Sequence, residues 1–388
     1  MATEAETFQG SRHKGSLPLG CIQCRQGAKM VMFVSGLCPS DCFYCPVSEA
    51  KIDHDVLFAN ERKLEGTTME EWLPQVFAEV QATGAWGTGI TGGDPLVVPE
   101  RVAGFIRGLK AEYGPEHHVH LYTQQFAKRE TLELLADAGL DELRIHPHEW
   151  LWARFGSTPY VRMVQDAREL GMTIGVEIPC IPEREEDIAL LAKQAHEAGA
   201  MYLNMNELEY STINADPLRD RGFELVGDED NRVHGSMETG YRSVSRLWKE
   251  LPGFTVHFCS SRFKDGTQLT KRLGRRRDRT AKPYMEKTED MTVVFGILEG
   301  TMDALVAAYD RLITEYDVPV EWVGLRSGPK RRIEIAPWVL EEIYEGFLEL
   351  HPALVEEYPT ADALEIERIP LSRNPPTPLA DAGTETGA

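Results

Sequence analysis

The feature that most constrains the fold is an alternation, from residue 29 to about 260, of short apolar runs with amphipathic stretches. KMVMFV, GTGIT, HVHLYT, ELRIH, MTIGVEI, MYLNMNEL and FTVHF read as strands. TTMEEWLPQVFAEVQATG, PERVAGFIRGLKAEYG and REEDIALLAKQAHEAG read as helices. The first opens with a Thr68–Glu71 capping box, and each closes on a glycine. Alternation of this length predicts βαβ units and a parallel sheet, flat or rolled into a barrel.

The strands themselves favour a rolled, partly open sheet. Strands buried on both faces should be nearly continuous apolar runs, whereas these alternate. Val119 and Leu121 oppose His120 and Tyr122; Leu143 and Ile145 oppose Arg144 and His146. Ile174, Val176 and Ile178 oppose Gly175 and Glu177, and Leu203 and Met205 oppose Asn204 and Asn206. With the apolar face against helices, the other face is a polar lumen suited to a large polar ligand. The expected α/β architecture is a partial (β/α)6 barrel over 29–260.

The flanks differ in character. Residues 1–28 are polar apart from GCIQC and read as a loose arm. Residues 261–290 read as a basic linker, because 262–287 hold ten basic residues against three acidic. Residues 291–371 follow the order strand, helix, strand, strand, helix, strand, the pattern of a ferredoxin-like α+β domain. NPPTPLADAGTETGA leads into a tail, 372–388, expected to be disordered.

Formal charge is −21, with 28 arginines against 13 lysines. An acidic, lysine-poor surface is expected of a halophilic protein, where salt screens self-repulsion. That bulk charge argues against general attraction to nucleic acid and makes the local basic segment a candidate RNA contact. No signal segment or apolar run of membrane-spanning length occurs, so a cytoplasmic protein is expected.

Seven cysteines, without a secretion signal, favour metal binding or catalysis over disulfides. Cys38, Cys42 and Cys45 follow KMVMFV directly, at the strand end where barrel active sites are built. Soft sulfur ligands select zinc or iron–sulfur clusters. A structural zinc wants four ligands, and this loop offers no obvious fourth unless a distant Cys or His completes it. A four-iron cluster on three cysteines would leave one iron free for a ligand.

The spacing C-x3-C-x2-C, with Tyr44 before the last cysteine, resembles the radical S-adenosylmethionine superfamily. GITGGDP, ending the next strand, resembles that family's Gly-Gly-Glu-Pro motif, here Gly92, Gly93, Asp94 and Pro95, with Asp94 in place of the usual Glu. The resemblance covers about 29–260. GCIQCRQGAK and CPVSEA resemble archaeal proteins related to pyruvate formate-lyase activating enzyme. The resemblance implies a 4Fe-4S cluster on Cys38, Cys42 and Cys45, reductive cleavage of S-adenosylmethionine, and an electron donor of ferredoxin or flavodoxin type. It implies contact of the GGDP turn with the methionine moiety. Ribose and adenine contacts are expected from later strand ends, where Glu177, Asn204, Asn206 and Glu207 are candidates. His146 and His148 are candidates for substrate contact, or for plain strand-end hydrogen bonding.

Cys21, Cys24, Cys180 and Cys259 form a possible second metal site, an auxiliary iron–sulfur cluster. Cys21 and Cys24 precede the first strand and should lie at the lower rim, while Cys180 and Cys259 follow strands at the upper rim. A strand of five or six residues separates the rims by roughly 17–20 Å, so the arm would have to fold back over the barrel. The reading from another class is a zinc-stabilised nucleic-acid-binding module without catalysis.

Overall fold

The computed structural model describes residues 6–328 and 330–371; the tail 372–388 lies outside the described residues. The chain divides into two compact units, 1–272 and 273–388.

The first unit opens with β1 (Ser11–Lys14), α1 (Leu19–Arg25) and β2 (Lys29–Phe33). There follow α2 (Met69–Thr83), β3 (Gly87–Thr91), α3 (Pro99–Tyr113), β4 (His118–Thr123), α4 (Arg129–Ala138) and β5 (Glu142–Ile145). The series ends with α5 (Tyr160–Glu169), β6 (Thr173–Cys180), α6 (Glu185–Ala198), β7 (Tyr202–Glu207), α7 (Ser236–Glu250) and β8 (Thr255–Cys259). The capping box forms as expected: Thr68 accepts from the Glu71 amide, Glu71 caps back, and left-handed Gly84 closes α2.

The sheet order is β1–β8–β7–β6–β5–β4–β3–β2, with short antiparallel strands beyond each end. Neighbours from β8 to β2 are parallel. These are the seven strands read from the sequence, one more than the six of the expected (β/α)6 barrel. β2 and β8 do not pair, so the barrel is open.

Alternation along the strands has the anticipated result. Leu121 pairs with Leu143, and Ile145 pairs with Val176, which pairs with Leu203. All five are fully buried in the core shared with the helices, each worth about 1.5–3 kcal/mol of burial. Tyr122, Arg144, Glu177 and Asn204, on the opposite parity, line a cavity. Between Arg144 and Tyr202 in register stands Gly175. A Cβ there would sit 2.1 Å from the Tyr202 ring, so glycine is what admits the ring.

The N-terminal segment is not a loose arm. β1 satisfies the outer edge of β8 in antiparallel register, Lys14 opposite Val256 and His13 opposite His257. α1 then enters the polar lumen, where the Gly20 amide donates to Glu142 Oε2 at 3.4 Å. A Cβ on Gly20 would lie 2.6 Å from Arg144 Nη2 and 2.8 Å from His120 Nδ1, so only glycine lets the helix approach this closely. Residues expected to form the basic linker are helical over Ser261–Phe263, Lys264–Leu269 and Thr270–Thr280.

The second unit contains β9 (Val293–Leu298), α8 (Met302–Thr314), β10 (Val323–Arg326), β11 (Arg332–Ile335), α9 (Pro337–Ile343), β12 (Ala353–Glu357) and β13 (Glu365–Pro370). Its sheet runs β10–β11–β9–β12–β13 with all neighbours antiparallel. Leu298, Leu305, Leu312, Ile333 and Phe347 centre its core. The last expected strand, ALEIERI, forms the edge strand β13, and the strand beside β9 is β12. Sequence pattern does not flag ALVEE because it ends in two glutamates. Glu357 is nonetheless buried, its carboxylate gripped by Arg332 at 2.7 and 2.9 Å.

Candidate active site

β2 ends at Phe33, and the loop after it carries Cys38, Cys42 and Cys45, all partly buried. The loop is held at its base. Gly36 and His54 share a backbone bond of 2.8 Å, and Ser35 Oγ donates to Asp55 at 2.9 Å. Arg101 clamps the Asp55 carboxylate with two bonds of 2.6 and 2.9 Å. The Cys45 amide bonds the Cys42 carbonyl at 2.9 Å, which turns the two thiols into one tight bend.

The GGDP turn is stitched to this loop. The Gly93 amide donates to Ser35 O at 2.8 Å, and the Asp94 amide to Leu37 O at 2.9 Å. A Cβ on Gly92 would lie 2.5 Å from Ser35 O, and one on Gly93 2.5 Å from Gly36 O and Leu37 O. Glycine is required at both for the two backbones to meet. The Asp94 side chain, almost wholly buried, does not reach outward. Its carboxylate accepts from the Leu96 amide (2.9 Å), Thr123 Oγ1 (2.9 Å), the Gln124 amide (2.7 Å) and Gln125 Nε2 (3.2 Å). Pro95 opens a one-turn helix capped by Asp94.

Gln124 completes the link, donating from Nε2 to Cys42 Sγ at 2.7 Å. His148 Nδ1 stands 3.8 Å from the same sulfur. Tyr44 is buried, its hydroxyl 3.2 Å from His146 Nε2, and its carbonyl accepts from Asn214 Nδ2 at 3.2 Å. Burial raises the Cys42 thiol to about 11 and also raises Cys38 and Cys45. Burial lowers His146, which stays neutral beside Tyr44. Thiols of this kind become thiolates when a metal displaces their protons.

Below the loop lies a cavity of about 390 Å³. Glu177 Oε1 accepts from Asn206 Nδ2 at 2.8 Å and Oε2 from Arg144 Nη1 at 2.7 Å. Asn204 Oδ1 is buried without a partner, an acceptor open to a donor from the cavity. Glu207 accepts from the Ser261 amide at 2.8 Å, and burial raises its carboxyl. Deeper, Arg144 also holds Glu142 at 2.6 Å, and Lys29 Nζ lies 2.9 Å from His118 Nδ1. Burial disfavours the Glu142 carboxylate, yet Arg144, His118 and Tyr202 keep its pKa well below the ordinary value.

Among the described residues, one group of three metal-ligating atoms lies within 4.8 Å of one another: His118, His120 and Glu142. Arg144 already pairs with Glu142, and Lys29 Nζ lies 2.9 Å from His118 Nδ1. Three soft thiols in one short loop are a donor set for zinc or an iron–sulfur cluster. Three partly buried thiols on one loop, with Tyr44 and Pro46 of that loop lining a polar cavity, are a donor set that fits a cluster with one iron left without a protein ligand.

The second set of cysteines is rearranged. Cys21, Cys24 and Cys259 line the same cavity, because β1 and α1 fold back into the lumen. The expected separation of Cys21 and Cys24 from Cys259 is therefore corrected. Cys180 stands apart, buried, its thiol donating to Ser236 O at 3.3 Å. Sequence reasoning missed Thr123 and Gln124; the dipeptide at the end of HVHLYTQQ carries no motif, and only its position after β4 could have pointed to it.

The sequence model of the Radical SAM superfamily matches residues 32–195, spanning both motifs, and a domain of unknown function (DUF8061) matches 292–371. The chain is 36% identical over 366 residues to a protein of Methanocaldococcus jannaschii provisionally named a glycyl-radical enzyme activating enzyme, covering 92% of this chain and 93% of that one. Among solved structures, Streptococcus suis SuiB bound to S-adenosylmethionine matches with TM-score 0.42 and 12% identity, over 60% of this chain and 50% of SuiB. Methylornithine synthase (PylB) matches with TM-score 0.39 and 15% identity, over 57% of this chain and 65% of that one. On the near-complete alignment with the M. jannaschii protein, and on the matched stretch that contains both the cysteine loop and the GGDP turn, the chain belongs to the radical S-adenosylmethionine superfamily.

Proposed function

We propose that this enzyme binds a 4Fe-4S cluster on Cys38, Cys42 and Cys45 and S-adenosylmethionine beside it, and takes a hydrogen atom from a protein substrate. When bound, the two groups supply reductive cleavage to methionine and a 5'-deoxyadenosyl radical. The observation that carries the reading is the backbone stitching of the cysteine loop to GGDP, with Gln124 donating to Cys42.

The residues have distinct tasks. Gly92 and Gly93 bring backbone close to the loop, and the carbonyls there are the methionine-side contacts. Asp94 fixes that turn to the end of β4 through Thr123 and Gln124. Tyr44, held by His146, and the amide face of Asn204 and Asn206 line the wall assigned to the nucleoside. Glu177, fixed by Arg144 and Asn206, is the acceptor assigned to ribose hydroxyls. An electron donor of ferredoxin or flavodoxin type supplies the electron.

The relative's name is the support for a protein substrate bearing a glycine. For the second unit we adopt a ferredoxin-like reading; antiparallel β10–β11–β9–β12 supports it. The zinc-stabilised nucleic-acid module is not favoured, since the chain belongs to a superfamily of radical S-adenosylmethionine enzymes. Anaerobic reconstitution with dithionite and S-adenosylmethionine tests the reading. The native chain should release 5'-deoxyadenosine, and Cys42→Ala, missing one of three protein ligands, should lose at least about 100-fold in rate. Equal release by both proteins would overturn it.

A further inference from the structure

We infer, resting on the cluster assignment above, that the Gln124 side chain is the donor that raises the reduction potential of that cluster, acting through the sulfur of Cys42.

Gln124 is aimed by its own backbone. Its amide donates to Asp94 Oδ2 at 2.7 Å, and its carbonyl accepts from the Tyr160 hydroxyl. Tyr160 is buried and stacked on Phe155, with ring centroids 5.6 Å apart. One residue on, the Gln125 amide donates to Thr123 Oγ1 at 3.0 Å, closing a turn at the end of β4. With both backbone groups engaged, only side-chain torsions remain, and they carry Gln124 Nε2 to 2.7 Å from Cys42 Sγ.

Nothing else accounts for that pose among the described residues, where Gln124 Oε1 is buried without a hydrogen bond. A leucine would fill this space without stranding a carbonyl. Stranding it is what presents the N–H end to the sulfur. Ser40 and the Val47 amide, which serve Cys38 and Cys45, belong to the cysteine loop itself. Gln124 comes from the end of β4, 82 positions away, so its place is set by the sheet and not by the loop. His148 Nδ1 is farther from Cys42 Sγ, at 3.8 Å, and also faces the Glu149 carboxylate at 3.9 Å.

A ligand sulfur carries more negative charge once its cluster has gained an electron. An N–H pointed at that sulfur therefore favours the reduced form over the oxidised one, which raises the potential. Burial works the other way, because a site withdrawn from water solvates added charge poorly. Gln124 offsets that loss and brings the one-electron step within reach of a ferredoxin- or flavodoxin-type donor. No proton is exchanged, since the amide keeps its hydrogen in both states.

The test reads a potential, not activity. The native chain, Gln124→Met and Gln124→Leu are reconstituted anaerobically with ferrous iron and sulfide and assayed for iron. Each is then titrated with dithionite and redox mediators, the reduced cluster being followed by electron paramagnetic resonance. At the potential that half-reduces the native chain, both variants should show a reduced-to-oxidised ratio about tenfold lower, a negative shift of about 59 mV for one electron. Lower iron in a variant does not blur the reading, because a midpoint does not depend on occupancy. Packing alone would leave the midpoint in place, since Met and Leu fill the space of Gln124. A midpoint unchanged or shifted positive in either variant overturns the inference and leaves the proposed function standing. Loss of the cluster from one variant leaves the other to decide; loss from both assigns Gln124 to assembly and overturns the inference as well. A native chain that takes up no iron sinks the proposed function, and this inference with it.

Discussion

Asp94 departs by one methylene from the glutamate usual in its motif, and its surroundings account for the shorter side chain. Four protein donors meet a carboxylate that has almost no exposure. Asp94→Ala would leave the Gln124 amide and the Thr123 hydroxyl unsatisfied in a buried position, at about 1–3 kcal/mol each. We expect a loss of roughly 2–4 kcal/mol in denaturant unfolding of the first unit, and no loss would refute the role. The three loop cysteines and the GGDP turn were legible because their residue types are chemically restrictive and their spacing short. Gln124 was not, since glutamine is common on surfaces and its bond to Cys42 spans 82 positions.

At the scale of elements, the period-two pattern revealed the strands because helices cover one side of the sheet and a wet lumen the other. α1 was hidden for a related reason. LGCIQCR is too short to show a helical period, and its site is created by β2, β3, β4 and β5 rather than by its own sequence. β12 was hidden because its countercharge, Arg332, lies 25 positions away. The strands also predict a pH response. Burial lowers His117, at the entry to β4, to about 4, and His257, on β8, to about 3. His117 neighbours Lys29, Lys110 and Asp141, and His257 faces His13, Arg144 and Arg25. The unfolded chain protonates both near 6.5 while the folded chain keeps them neutral, so the unfolded state binds more protons below that value. Their stabilising contribution is complete above pH 6.5 and is lost as pH falls toward 4 and then 3. Each contributes a slope of up to about 1.4 kcal/mol per pH unit. The denaturant midpoint between pH 6.5 and 5 should flatten in His117→Gln/His257→Gln, and an unchanged profile would refute the assignment.

For the molecule as a whole, net charge and local charge have different fates. The basic segment 262–287 spends much of its charge inside its own unit: Lys264 on Glu209, Arg272 on Glu61, and Arg277 and Lys287 on Asp278. Arg276 is buried against Pro359 O. Affinity for total tRNA at working ionic strength is therefore expected to be equal in the native chain and in Arg275→Ala/Arg276→Ala/Arg277→Ala. A salt-dependent loss in the variant would restore the RNA reading. No helix among the described residues is long and apolar enough to cross a membrane. The pairing of β1 with β8 has a further consequence in time. Ser11 meets Ser260 across 249 positions, so a ribosome adding about 5–20 residues per second makes the first of them roughly 12–50 s before its partner exists. Through that interval Cys21 and Cys24 have no wall to face, and they remain open to solvent, oxidants and iron donors. The lumen is thus sealed by the oldest part of the nascent chain, after the youngest strand of the barrel has emerged.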